Sequence, residues 1–148
     1  MIEIESRELA DIPVLHAYPV GQKDTPLPCV IFYHGFTSSS LVYSYFAVAL
    51  AQAGLRVIMP DAPDHGSRFS GDAARRLNQF WQILLQSMQE FTTLRAAIAE
   101  ENWLRDDRLA VGGASMGAMT ALGITARHPT VKCTASMMGS GYFLSLIH

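Results

Sequence analysis

The sequence predicts an α/β protein built on an open, mostly parallel sheet with helices on both faces. Three observations carry this. The apolar run within 27–33 is continuous rather than alternating, as in a strand covered on both sides, and further strand-like apolar stretches lie at 55–59 and 109–111. Segments with apolar residues every three or four positions lie between them. The stretch 109–120, L-A-V-G-G-A-S-M-G-A-M-T, reads as a strand, a very tight turn and a helix. Strands alternating with helices imply right-handed crossovers within one sheet.

In chain order, residues 2–8 alternate with period two and predict a half-buried strand. A second strand over 12–20 pairs with it antiparallel at a sheet edge and ends in the turn-rich 21–26. The third strand, 27–33, stops at His34-Gly35-Phe36, and residues 37–40 offer N-cap side chains for a helix over 41–53. Gly54 stops that helix and a fourth strand, 55–59, leads into the polar loop 62–68. Leu77, Phe80, Leu84, Met88, Phe91, Leu94 and Ile98 predict one long amphipathic helix over 72–101, with Gln79, Gln82, Gln86 and Gln89 on its wet side. A polar connection, 102–108, precedes the fifth strand; a helix over 116–128 ends at Pro129, and a sixth strand over 131–138 is broken at 139–141.

With 148 residues there is one domain's worth of chain. A net charge of -2 with 16% charged residues gives no nucleic-acid footprint and no polybasic membrane patch. Apolar runs stop short of a membrane span, and the charged N-terminus is unlike a signal peptide, so the expected location is the cytoplasm. Cys29 and Cys133 sit in strand-like runs and read as buried thiols; no spacing suggests a metal site.

The chemistry concentrates at Gly113-Ala114-Ser115-Met116-Gly117, which fits G-x-S-x-G, a nucleophile elbow with its serine at the tip of a strained turn. A Cβ at either glycine would collide with the neighbouring strand or helix as the chain reverses. Ser115 is the candidate nucleophile, which needs a base for its proton and fixed N–H donors for the oxyanion that forms on attack. Those donors are expected at the backbone N–H of Met116, just after the serine, and of Phe36, in the turn after the third strand. His34, Asp61, Ser115 and residues 139–142 all fall at carboxyl ends of strands, where such sheets bind ligands.

H-G-F after strand three, P-D-A-P-D-H-G-S after strand four and G-A-S-M-G after strand five together resemble the α/β-hydrolase superfamily. Within it they are most similar to small YjfP-type bacterial carboxylesterases of the dienelactone-hydrolase and prolyl-oligopeptidase-like branch. The resemblance implies hydrolysis of small, short-chain esters through an acyl-enzyme on Ser115, with no cofactor. It also implies a catalytic acid and histidine after the serine, yet residues 116–148 contain no Asp or Glu, and their only histidines are His128 and His148. His128 reads as a helix C-terminal residue, His34 as a brace for its turn, Asp61 as a cap for loop N–H groups, and Asp64-His65 as a loop with a non-standard base as its one catalytic option. The expectation is therefore the N-terminal part of an α/β-hydrolase, lacking the C-terminal strands, from a truncated or frameshifted reading frame. An uncovered sixth strand with Met137 and Met138 would then invite self-association.

Other readings are weaker on the residues. A phosphate loop at 112–117 lacks the Lys and Ser or Thr that should follow its last glycine, and a dinucleotide fingerprint has Ser115 where its second glycine belongs. A non-catalytic protein on the same fold accounts for the absent triad members. A thioesterase or acyltransferase shares the G-x-S-x-G motif.

Overall fold

The computed structural model describes residues 1–136. Its strands are β1 (Ile2–Leu9), β2 (Ile12–Pro19), β3 (Leu27–Tyr33), β4 (Arg56–Pro60), β5 (Leu104–Ala114) and β6 (Lys132–Ser136). Its helices are α1 (Ser44–Gln52), α2 (Ala73–Leu77), α3 (Phe80–Glu100) and α4 (Met116–Arg127), with a single 3-10 turn at Gly66–Arg68. Among the described residues the strands form one sheet in the order β1-β2-β4-β3-β5-β6. β4, β3, β5 and β6 run parallel, while β1 and β2 form the expected antiparallel pair at one edge. The predicted strand residues Met137 and Met138, the break at 139–141 and the tail to His148 lie outside the described residues.

Alternation along each strand divides the core in two. Cys29, Ile31 and Tyr33 of β3 join Leu109 and Val111 of β5 under Phe91, Leu94 and Ile98 of α3 and Ala121 and Ile124 of α4. On the other face Phe32, Val57, Met59 and Ala114 meet Ala47 and Ala51 of α1. Beside α1 that second face stays open as a cavity of about 790 Å³, lined by Val30, Phe32, Phe46, Leu50, Ala110 and Gly112 among others. Cys29 is buried, and loss of water around its sulfur pushes the thiol up to about 12, so it is inert as a nucleophile. No helix among the described residues is long and apolar enough to cross a membrane.

Three expectations are corrected. The first helix starts at Ser44 rather than 41: residues 41–43 form turns, with the Ser39 hydroxyl accepting from the Val42 N–H, and the helix begins after Tyr43 with no side-chain cap. The long helix is two, broken at residues 78–79. Asp72 caps α2 through its carboxylate, 2.9 Å from the Arg75 N–H, but α2 buries no residue, and Leu77 is 62% exposed. Only α3 has a stripe that packs on the sheet, so periodicity alone could not see the break.

The polar connection at 102–108 is also largely strand. Leu27 donates to the Trp103 carbonyl at 2.9 Å, pairing begins at Leu104, and the register slips before Cys29. Asp106 and Asp107, at φ of +52° and +55°, form the bulge that absorbs the slip. Trp103 itself is fully buried.

Trp103 is the floor of a polar network at the amino ends of the parallel strands, opposite Ser115. His16 stacks on its ring at 4.2 Å and the Arg56 guanidinium lies 4.8 Å from its centroid. Arg56 is fully buried and donates to the carbonyls of Thr25 at 2.6 Å, Gln22 at 3.3 Å and Trp103 at 3.3 Å. Its fourth acceptor is His16 Nε2 at 2.7 Å. A guanidinium only donates, so Nε2 is unprotonated and Nδ1–H donates to Glu5 at 2.7 Å. Loss of hydration holds the His16 imidazole down to about 4, in keeping with a neutral ring beside a cation.

Trp103→Ala is expected to cost about 3–5 kcal/mol in urea unfolding, through both the cavity and the lost floor of the network. Trp81→Ala, at a side chain 61% exposed, is expected to change stability by no more than about 0.5 kcal/mol.

Candidate active site

Ser115 sits between the end of β5 and the start of α4 with φ +56° and ψ -118°, a conformation that non-glycine residues rarely adopt. Its side chain is exposed while Ala114 and Met116 on either side are buried. The reversal works because two glycines allow contact between backbones. A Cβ on Gly113 would overlap the Gly117 carbonyl and stand 2.7 Å from the Ala118 nitrogen. A Cβ on Gly117 would run into the Tyr33 carbonyl and stand 2.7 Å from the His34 oxygen. Neither glycine has a positive φ, so close approach is the reason each must be glycine.

The turn after β3 lies against this tip: the Cβ position that Gly35 lacks is 3.4 Å from the Ser115 Cβ. The side chains of Phe36 and Met116 turn away into one apolar cluster with Ala62, Ile83, Leu84 and Phe80. Phe36 meets Phe80 edge-on at 5.0 Å and the His65 ring at 5.4 Å. Among the described residues neither the Phe36 N–H nor the Met116 N–H has a hydrogen-bond acceptor. Two uncommitted donors beside an exposed hydroxyl, one at the amino end of α4, are suited to stabilise negative charge.

Two buried histidines fix this arrangement. His34 accepts from the Ala62 N–H at 3.0 Å through Nε2, so its Nδ1–H donates to the Gly35 carbonyl at 2.8 Å. His65 accepts from the Thr37 N–H at 2.8 Å through Nε2, and its Nδ1–H donates to the Pro63 carbonyl at 2.9 Å. Each ring ties the turn after β3 to the loop after β4. Burial holds the His34 imidazole down to about 4 and also lowers that of His65.

Asp61 braces the same loops. Its carboxylate accepts from the Ser40 N–H at 3.0 Å, the Ser67 hydroxyl at 3.0 Å and the Ser67 N–H at 3.3 Å. Burial alone would raise its pKa; the hydrogen bonds outweigh burial and hold it below the usual carboxylate range. Arg68 links this loop to α3, donating to the Asp61 carbonyl and, at 2.8 Å on both nitrogens, to Glu90.

The structure thus brings Ser115, Met116 and Phe36 together and gives His34 and Asp61 the bracing roles expected of them. It removes Asp64-His65 as a base, because both His65 ring nitrogens are engaged and the Asp64 carboxylate accepts from the Ser70 N–H at 2.7 Å instead. His128 caps the far end of α4, ~18 Å along the helix from Ser115, with its ring on Phe91. His148 lies outside the described residues. The brace from His65 to Thr37 and the position of Tyr43 ahead of α1 carry no signature in the sequence. Among the described residues no group of three or more His, Cys, Asp or Glu could hold a metal ion.

Comparison with known proteins gives a consistent picture. The Hydrolase_4 family model, described as serine aminopeptidase, S33, matches residues 24–144. The chain is 98% identical over 146 residues to Esterase YjfP of Escherichia coli (strain K12), which covers 99% of the chain and 59% of that protein. It is 34% identical over 147 residues to YitV of Bacillus subtilis (strain 168), covering 99% of the chain and 58% of that protein. The chain therefore spans less than two thirds of the length of these curated relatives. Among solved structures, a dienelactone hydrolase from Anabaena variabilis superposes with a TM-score of 0.67 at 22% identity, over 91% of this chain and 62% of that one. The likeness shows a shared fold.

Two outcomes are expected. Gly117→Ala should destabilise the protein by about 4 kcal/mol or more in denaturant unfolding, because the obstruction is backbone. Stability should also fall with pH. His16 and His34 are neutral when folded, with pKa values near 4 against 6.5 for the free side chain, so the unfolded chain binds protons first as pH drops. Their contribution is complete above pH 6.5 and lost as pH approaches 4, on the order of 3 kcal/mol for each ring, read from urea midpoints between pH 7.5 and 4.5.

Proposed function

Since the chain belongs to the Hydrolase_4 (serine aminopeptidase, S33) family and has the α/β-hydrolase fold, we propose that it is the N-terminal part of a serine carboxylesterase acting on small, short-chain esters. The observation that carries this reading is Ser115 itself. A serine is held exposed at positive φ at the carboxyl end of a parallel strand and lies against the turn after β3, and among the described residues the Phe36 and Met116 N–H groups have no acceptor. The Ser115 hydroxyl oxygen attacks the ester carbonyl, and its proton passes to a base. The carbonyl oxygen becomes an oxyanion held by the Phe36 and Met116 N–H groups. Collapse expels the alcohol and leaves an acyl-enzyme, which water hydrolyses by the same route. This proposed route uses no cofactor.

The base and its acid partner are assigned to the remaining length of the longer protein, since the family order places both after the serine. For the 148-residue chain alone a second reading has its own support: His34 and His65 are fully engaged, so this stretch is a rigid but catalytically impaired half-site. We also propose a cytoplasmic location and self-association through an uncovered sheet edge.

A fluorophosphonate probe tests the assignment. Labelling of the full-length protein, with none in Ser115→Ala, is the expected result. A folded full-length sample that takes no label, or a Ser115→Ala variant that labels as well as the parent, would sink it. The 148-residue chain alone is expected to hydrolyse p-nitrophenyl acetate at least about 10⁴-fold more slowly than the full-length protein.

A further inference from the structure

We propose that Tyr43 is a further substrate-contacting residue of this site, its hydroxyl donating a hydrogen bond to the carbonyl oxygen of an ester bound at Ser115. The inference rests on the serine-esterase reading above and extends it to a residue outside the motif.

The geometry turns on Gly35. Its φ lies outside the positive region, so backbone conformation does not demand a glycine there. What a side chain would meet is close packing: the missing Cβ position is 3.0 Å from the Tyr43 hydroxyl, 3.4 Å from the Ser115 Cβ and 3.5 Å from the Ala114 carbonyl. Phenol and nucleophile therefore close on the same glycine from two sides, with no side chain between them. The Phe36 N–H belongs to the residue that follows.

Tyr43 is held firmly enough to act as a fixed donor. Its ring packs against the α1-side core, 6.2 Å from Phe32 and 6.3 Å from Phe46 between centroids. Its backbone N–H donates to the Ser40 carbonyl at 3.1 Å, and the Ser40 N–H is in turn held by the buried Asp61 carboxylate at 3.0 Å. Phe46 donates to the Tyr43 carbonyl at 3.0 Å as α1 begins. Among the described residues the hydroxyl has no hydrogen-bond partner, and it is not one of the sealed-off polar atoms. Tyr33, on β3, differs in both respects: its hydroxyl is buried, lacks a partner among the described residues, and packs into the opposite core.

A neutral phenol aimed at an oxygen that gains charge stabilises the transition state more than the ground state, without giving up its proton. Loss of the hydroxyl should therefore appear in kcat more than in KM.

The experiment compares Tyr43→Phe, Gly35→Ala and Ser115→Ala in the full-length protein, with p-nitrophenyl acetate as substrate and thermal unfolding as the check on folding. Tyr43→Phe keeps the ring and is expected to lower kcat at least about tenfold with KM within about twofold. Inactivation by the fluorophosphonate should slow by a similar factor, since its phosphoryl oxygen occupies the same place. Gly35→Ala, which sets a methyl against both the phenol and the serine and leaves the phenol in the chain, should lower kcat as well. If Tyr43→Phe and Gly35→Ala both keep kcat within about twofold while Ser115→Ala is inactive, Tyr43 is no donor and the esterase reading stands. A rise in KM alone overturns the oxyanion role. If Ser115→Ala retains the parent rate, both readings fall together.

Discussion

The contact on which the rest of this structure depends is between two pieces of backbone: the first turn of α4 at Gly117 against the end of β3 at Tyr33 and His34. Only a residue without a Cβ permits it. Because α4 can approach so closely, β5 reverses into α4 within one residue, and Ser115 absorbs the strain at φ +56°. Strain of this kind costs of order 1–3 kcal/mol and persists when the surroundings over-determine it. Here β3–β5 pairing, running in register from Cys29 to Tyr33, supplies one side of the vice and the buried face of α4 the other. The same contact sets the turn after β3 opposite the serine, so the two candidate oxyanion donors come together from residues far apart in sequence.

Buried histidines then convert loops into scaffold. His16, His34 and His65 each have a compulsory donor at Nε2, a guanidinium or a backbone N–H, and so each must carry its proton on Nδ1 and donate it onward. Each is a two-ended cross-link that works only when neutral. His16 ties the edge hairpin to the amino end of β4; His34 and His65 tie the turn after β3 to the loop after β4. Burial drives all three rings toward neutrality, which makes the cross-links dependable near neutral pH and vulnerable in acid.

Much of this was legible because the signals were local. Apolar runs gave the parallel strands, and the spacing of Gly113, Ser115 and Gly117 gave the reversal, since the steric demand falls on those positions themselves. Where tertiary contacts decided, the pattern misled. Residues 102–108 look like a polar loop, yet the side chains of Arg105 to Arg108 point mostly to solvent from a bulged strand, and Trp103 is pulled inside by stacking with His16 and Arg56. The apolar rhythm of α3 extends back through Leu77, although nothing among the described residues buries it. Ser40 resembles a helix cap, but its N–H is tied to Asp61 and the turns that follow run on to Tyr43, which stands at the threshold of α1. His65 reads like half of an acid–base pair because sequence shows its neighbour Asp64 and not its partner Thr37.

The bracing residues also determine the electrostatics around Ser115. A site that must hold a developing oxyanion gains from oriented dipoles and loses from a fixed negative charge nearby. Asp61, on the loop after β4, carries a formal charge, and its two oxygens are occupied by Ser40 and Ser67. The two histidines contribute no charge at neutral pH. Beside the exposed serine are the amino end of α4 and the turn after β3, whose Met116 and Phe36 N–H groups have no acceptor among the described residues and would need no reorganisation when charge appears. Hence the rigidity of the loops has a chemical consequence: a Phe36 N–H free to rotate toward another acceptor would lose its worth as a donor, and the locked turn between His34 and Thr37 prevents that.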